Sequence, residues 1–397
     1  GDTHLHTSMS FDAGAFGARL DPYAAYRFAR GEEVTSSSGL KVRLSRPLDF
    51  LVVADHSDNM GFFPTLLGGE PSYLADPQGK EWYDMVNEGG TTAVKSASEI
   101  IGAFSAGKFP PALASLPGTK TYQSAWDLAI DAAEKANEPG RFTAFIGYEW
   151  TSNANGDNLH RVVVYRDGGD VAGRSLPYTT LEPTGSPNPS DLWNELQKVH
   201  DETGADLLAI AHNGNLSNGI MFPLVDNFTG RKINKAYAET RMKWEPLYEI
   251  TQIKGDGEAH PFLSPDDEFA DYETWDIGNL TMETPKDNDM LVYEYGRSGL
   301  KLGLQLEEKI GVNPYKVGFI GSTDSHTGLA TAAEENFFGK HEGSSPSPER
   351  MEHAIACFGD NCVFGWQQAA SGLAAVWSTE NTREGLFDAM MRRETYA

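Results

Sequence analysis

The sequence predicts an α/β fold built on a mostly parallel sheet, closed into a barrel rather than left open. Short β-rich apolar runs alternate with helical patterns along the chain, the signature of parallel strands joined by crossovers. Most of these runs end in a residue that binds metal or carries charge, and chemistry in such folds gathers where strand ends converge. A length of 397 residues is ample for one large core.

The elements follow in order. The chain opens in what reads as a strand carrying Asp2, Thr3 and His4. Residues 48–54 form an apolar run before Asp55 and His56, and 142–148 precede Glu149. Residues 161–165 follow His160, and 206–211 lead into His212. The last two runs, 247–253 and 317–323, end at Lys254 and Asp324. Between them, 122–137 carry Trp126, Ile130 and Ala133 on one helical stripe, and 190–203 carry Leu192, Leu196 and Val199. A third helix is expected over 291–310. A fourth opens on Asn381 as N-cap with Glu384 as its reciprocal partner and closes on Arg392 and Arg393. Residues 57–140, 167–189 and 256–289 are rich in turn formers and read as insertions walling a pocket within one domain of residues 1–397. A separate small domain is the alternative.

Composition removes several function classes. With 32 Lys and Arg against 57 Asp and Glu, the formal charge of −25 repels phosphate backbones and argues against general nucleic-acid binding. The apolar runs are too short to span a membrane. Two cysteines exclude a disulfide framework and a cysteine zinc site. Cys357 and Cys362 bracket a turn-forming stretch, either bridged across it or both reduced. A bridge, together with the acidic surface, would lean toward a periplasmic or secreted protein over a cytoplasmic one. No nucleophile elbow, phosphate loop or dinucleotide fingerprint occurs.

The placement of the ten histidines is the informative feature. His4 and His6 are two apart in an extended segment, so their side chains share a face, and Asp324 with His326 repeats that spacing. His56, Glu149 and His212 each follow an apolar run. Imidazole and carboxylate donors at five strand ends suit borderline divalent ions, and they exceed what one closed structural site needs. A multinuclear hydrolytic centre follows, with positions open for water.

Gly-Asp-Thr-His4-Leu-His6-Thr-Ser, Asp-Phe-Leu-Val-Val-Ala-Asp55-His56, Gly-Tyr-Glu149-Trp, Ala-His212-Asn and Gly-Ser-Thr-Asp324-Ser-His326 stand in the order seen in the polymerase and histidinol phosphatase (PHP) superfamily. The chain resembles a bacterial branch of it with the same opening, and also shares the stretch from Gln252 to Glu258 and the tail from Arg392 to Ala397. Chains of that branch continue past this tail. The resemblance implies a distorted seven-stranded TIM-like β/α barrel with two or three divalent ions, Mn²⁺, Zn²⁺ or Fe²⁺. One ion would take His4, His6, Glu149 and Asp324. Glu149 would bridge to a second ion on His160 and His212. A third would use His56, His326 and Asp12, where the superfamily often has histidine.

Other residues are weighed on their own surroundings. Asp55 faces away from His56 and is expected as a supporting partner rather than a ligand. Arg161 alternates outward from His160 and is expected as a solvated surface arginine. Lys254 and Arg19 lie in predicted loops and are candidates for binding an anionic substrate. Glu249 and Glu258 are ambiguous, and His200 reads as a surface histidine. His260, His341 and His353 receive no role.

A cationic centre in an anionic protein should draw a tetrahedral oxyanion. The expected activity is a metal-dependent phosphoesterase acting on small phosphate mono- or diesters. A metal-bridging hydroxide would attack, Glu149 and Asp324 would serve the centre, and His56, if not tied to a third ion, would protonate the leaving group. A sulfatase or other ester hydrolase with the same centre is the alternative, and a catalytically silent metal-stabilised module is the second.

Overall fold

The computed structural model describes residues 1–105, 107–358 and 361–397. Seven principal strands make one curled sheet. They are β1 (Asp2–Leu5), β2 (Phe50–Val53), β3 (Thr143–Trp150), β4 (Arg161–Tyr165), β5 (Leu207–Ala211), β6 (Leu247–Gln252) and β7 (Gly318–Gly321). They lie in chain order across the sheet, with Gly255–Asp256 folding back on β6. Pairing is parallel except at β4, which runs antiparallel to both β3 and β5. The ten residues between β3 and β4 are too few for a crossover helix, so the chain returns as a hairpin. His160 therefore precedes its strand yet stands on the same rim as residues that follow theirs.

The sheet curls until its two edges approach. The edges are joined by one parallel bridge, Leu5 to Ser325, and by hydrogen bonds from Asp324 N to His4 O (2.8 Å) and His6 N to Ser325 O (2.9 Å). The ladder is not continuous there, so the architecture is a curled mixed sheet rather than a closed barrel.

Alternation along the strands sorts the side chains. Val52, Ala54, Phe145, Val162, Val164, Leu208, Ile210, Leu247 and Ile320 form one buried cluster with Leu386, Phe387 and Met390 of the last helix. Leu51, Val53, Ile146, Tyr148, Val163, Tyr165, Leu207 and Ala209 form the other, against the outer helices. The helices of the chain include α1 (Pro22–Ala29), α2 (Lys120–Ala136), α3 (Pro189–Thr203), α4 (Lys235–Trp244), α5 (Gly296–Ile310) and α6 (Arg383–Met391). Helix α3 starts where the Asn188 side chain accepts from Ser190 N, with Pro189 in the first turn, and it stops at Gly204, where φ is +78°.

Three expectations need correction. The helix expected over 291–310 begins at Gly296, because the carbonyls of Tyr293 and Glu294 accept from Phe222 N (2.9 Å) and the Tyr248 hydroxyl (3.1 Å) instead of continuing a helix. Thr382, not Asn381, caps α6, accepting from Gly385 N at 3.0 Å. The Asn381 side chain is spent tying together Thr143, Asp49 and Arg141. Arg161 does turn outward, but the outward face is covered by helices. It is 1% exposed and pairs with Glu245 at 2.9 Å. Cys357 and Cys362 face each other across a small hairpin and are bonded. Among the described residues no helix is long and apolar enough to cross a membrane.

Candidate metal centre

The inward series of each strand ends at one rim in a donor side chain. Val52 and Ala54 lead to His56, Phe145 and Gly147 to Glu149, Leu208 and Ile210 to His212, and Leu247 to Glu249. Backward along β4, Val164 and Val162 lead to His160. Period-two alternation fixes which residues meet.

Glu149 is the hub. Its Oε1 lies 2.7 Å from His212 Nε2, 3.0 Å from His160 Nδ1 and 3.6 Å from His4 Nε2. Its Oε2 lies 2.5 Å from His56 Nδ1 and 3.4 Å from His6 Nε2. Burial alone would raise its pKa, but His56, His160 and the hydrogen bonds from His160 and His212 hold it well below the usual range. Asp324 Oδ1 stands 3.5 Å from His4 Nε2 and 3.4 Å from His6 Nε2. Its backbone is left-handed, φ +50°, and its N–H is held by His4 O. Asp12 joins the open side, with Oδ1 at 3.1 Å from His56 Nε2 and Oδ2 at 3.0 Å from His326 Nε2.

Hydrogen bonds behind the ring set its tautomers. Ser10 donates to Asp55 Oδ1 (2.9 Å) and therefore accepts from His6 Nδ1 at 2.7 Å. Asp55 also accepts from Thr7, so it is a supporting partner, as expected. Glu249 accepts from His4 Nδ1 at 3.1 Å, and the Ser322 hydroxyl donates to the same carboxylate. Asn153 Oδ1 lies 2.8 Å from His160 Nε2. His4 and His6 turn their Nε2 atoms toward each other across 3.0 Å, and two carboxylates lie within 3.6 Å of them, a donor set that a cation could share. His212 Nδ1 and Glu249 Oε1 are buried without a hydrogen-bond partner. Four sets of three donors are close enough to share an ion: His4, His6 and Glu149; Glu149, His160 and His212; His4, His212 and Glu249; and His6, His56 and His326. The residues present could hold metal.

The chain thus brings His4, His6, Asp12, His56, Glu149, His160, His212, Asp324, His326 and Lys254 together. The Lys254 ammonium contacts Asp324 Oδ2. Arg19 stays outside, exposed and donating to the carbonyls of Gly14 and Ala18. Glu258 pairs with Arg297, away from the cluster. Sequence reasoning left Glu249 ambiguous and missed Lys340 and His341. Glu249 shares the parity of Leu247, which could have found it. Lys340 and His341 lie in an irregular loop with no periodicity to read, and His341 packs its ring 5.1 Å from that of His326. Burial pushes Lys340 down to about 8.

Asp12 is 34% exposed, His56 10% and Lys254 9%, whereas His4, His6 and His212 are 0%. Asp12 and His56 are thus more exposed than the innermost histidines.

Comparison with known proteins gives three results. One solved structure similar to the chain is a candidate metal-dependent phosphoesterase from Bifidobacterium adolescentis, at 10% identity over 85% of this chain and 91% of that one. Its TM-score of 0.25 is too low to carry an argument about fold or function. No curated protein matches the chain. The family model for DUF3604, described as a protein of unknown function, matches residues 1–397, and the chain belongs to that family.

Proposed function

We propose that the chain is a metal-dependent hydrolase of small phosphate mono- or diesters, a single domain whose curled sheet is a distorted seven-stranded barrel of the PHP type. The observation that supports this most is the pair of opposed His4 and His6 Nε2 atoms, flanked by Glu149 and Asp324, at the buried end of a rim open on one side. His4, His6, Glu149 and Asp324 would hold one ion, and Glu149, His160 and His212 a second. Mixed imidazole and carboxylate donors suit Mn²⁺, Zn²⁺ or Fe²⁺. Such ions, when bound, supply a water that ionises near neutral pH and positive charge against the phosphoryl oxygens.

The rest of the chemistry belongs to the chain. Burial would lower the His56 pKa, but Asp12 and Glu149 raise it to about 10, so its ring carries a proton at neutral pH. His56 stands on the open side with Nε2 toward Asp12, placed to protonate a leaving-group oxygen as it departs. Lys254, beside Asp324, receives an anionic oxygen of the substrate. Glu149 stands within 3.4 Å of four imidazoles, those of His212, His160, His56 and His6.

The test is hydrolysis of matched aryl phosphate and aryl sulfate esters by Mn²⁺-loaded protein, with His212→Ala as control. Phosphate release that disappears in the variant is expected. Sulfate release alone would transfer the reading to a sulfatase using the same centre, and no release from any ester would end it.

A further inference from the structure

Gln252 ends β6, the strand that pairs with both β5 and β7, and it is buried. The backbone N–H of Lys254 donates to its Oε1. A backbone N–H cannot accept, so the amide is oriented by a group that does not titrate, with its oxygen toward Lys254 and its nitrogen toward the centre. The nitrogen lies 2.6 Å from Asp324 Oδ2 and 2.5 Å from Asn213 Oδ1. An amide nitrogen only donates, so both oxygens accept, one hydrogen to each. Asn213 directly follows His212, whose carbonyl accepts from Asn158 Nδ2 at 2.9 Å. One planar group on the middle strand therefore reaches a residue beyond each neighbouring strand. On one side is Asp324, whose Oδ1 lies 3.5 Å from His4 Nε2 and 3.4 Å from His6 Nε2. On the other is the turn carrying His212, which meets His160 at Glu149.

Both residues it holds need holding. Asn213 has φ +49° and Asp324 φ +50°, in the left-handed region that residues other than glycine keep only where their surroundings support it. A carboxylate can also turn about its last bond, and a donor on Oδ2 resists that turn while Oδ1 faces the two imidazoles. The Lys254 ammonium contacts the same Oδ2, but its charge opposes an incoming cation. The neutral amide holds the oxygen and leaves the charge of the carboxylate undiminished.

We propose that Gln252 is a positioning residue for both halves of the centre, fixing Asp324 with Oδ1 toward His4 and His6 and anchoring the turn that carries His212. The proposal rests on the metal-centre reading above. The test is the affinity of the folded chain for Mn²⁺, read by competition with a chromophoric chelator, with folding checked by circular dichroism. Gln252→Met keeps the length of the side chain and removes both donors, and it is expected to bind Mn²⁺ roughly 10–100-fold more weakly. Asn215 is the control, a buried amide of the same network that bonds the carbonyls of Lys254 (3.0 Å) and Trp275 (2.9 Å) and touches no candidate ligand. Asn215→Ala is expected to unfold at a lower temperature and to bind Mn²⁺ as wild type does. If Gln252→Met does not fold, Gln252→Asn takes its place with the same expectation, its amide being one methylene short of Asp324. An unchanged affinity in the folded Gln252 variant overturns the proposal, as does an equal loss in Asn215→Ala. The readout is independent of turnover: the expected affinities without hydrolysis would end the phosphoesterase reading and leave this one standing, whereas no Mn²⁺ bound by wild type would end both.

Discussion

Ser10 Oγ sits between His6 Nδ1 (2.7 Å) and Asp55 Oδ1 (2.9 Å), and through it a carboxylate that touches no candidate ion dictates which nitrogen of His6 faces the centre. Such relays orient ligands and raise their basicity, and their loss typically costs roughly 10–100-fold in metal affinity. Ser10→Ala should weaken Mn²⁺ or Zn²⁺ binding by about that factor while the fold persists. Competition with a chromophoric chelator reads this directly, and an unchanged affinity would remove Ser10 from the relay.

Metal loading should stabilise the chain. Two imidazole Nε2 atoms and two carboxylates meet at His4, His6, Glu149 and Asp324. A ligand that binds only the folded state adds about 2.7 kcal/mol at a hundredfold excess over Kd. Thermal unfolding with Mn²⁺ or Zn²⁺ should lie above that in a chelator, reversibly, and His4→Ala should shrink the gap.

His56 as proton donor makes a leaving-group prediction. His56→Gln should slow hydrolysis of alkyl phosphates by roughly 10²–10⁴-fold, since such leaving groups need protonation. Nitrophenyl esters, whose leaving groups depart as anions, should be affected far less. Equal losses on both would assign His56 to holding the site together instead.

Glu245 lies between two buried guanidinium groups, accepting from Arg161 Nε (2.9 Å) and Trp193 Nε1 (2.9 Å) with Arg241 Nε at 3.0 Å. Removing the carboxylate strands two positive charges behind the sheet, and Glu245→Ala should cost about 3–5 kcal/mol in urea unfolding. A cost below about 1 kcal/mol would place the pair among weak surface bridges.

Glu294 is buried against Lys286 (2.6 Å) and Gly219 N (2.9 Å), and burial pushes its pKa up to about 7. The folded state then binds a proton more readily than the unfolded one. Its contribution favours folding at low pH and is lost as pH rises from the unfolded value of about 4.5 through about 7. Glu294→Gln should flatten that part of the stability-versus-pH curve relative to wild type. Identical slopes would show that Glu294 titrates normally.

Much of the centre was legible because alternation is local. Val52–Ala54–His56 and Leu208–Ile210–His212 state in sequence which side chains share a face, and the ordered motifs around His4, His6, Glu149 and Asp324 named the donors. Helix α3 was legible from its apolar stripe of Leu192, Leu196 and Val199. What escaped was set by contacts between distant segments. Arg161 was rightly turned outward, but whether outward means water or helix depends on α3 and α4 arriving there. Asn381 has the chemistry of a cap, and Asp49, Arg141 and Thr143 claim its side chain first.

The amino-acid sequence by itself determined the succession of apolar runs, the inward parity and the donor types, since these follow from pleat geometry and residue chemistry. Only the tertiary structure decided that β4 is antiparallel, that Glu149 touches His56, His160 and His212 together, and that Lys340 stands beside Asp324. Those facts depend on loops such as the one carrying Lys340, whose path is fixed by hydrogen bonds to remote partners: His326 N, from fourteen residues earlier, donates to the Lys340 carbonyl at 2.8 Å. No pattern within a short window of sequence encodes such a meeting.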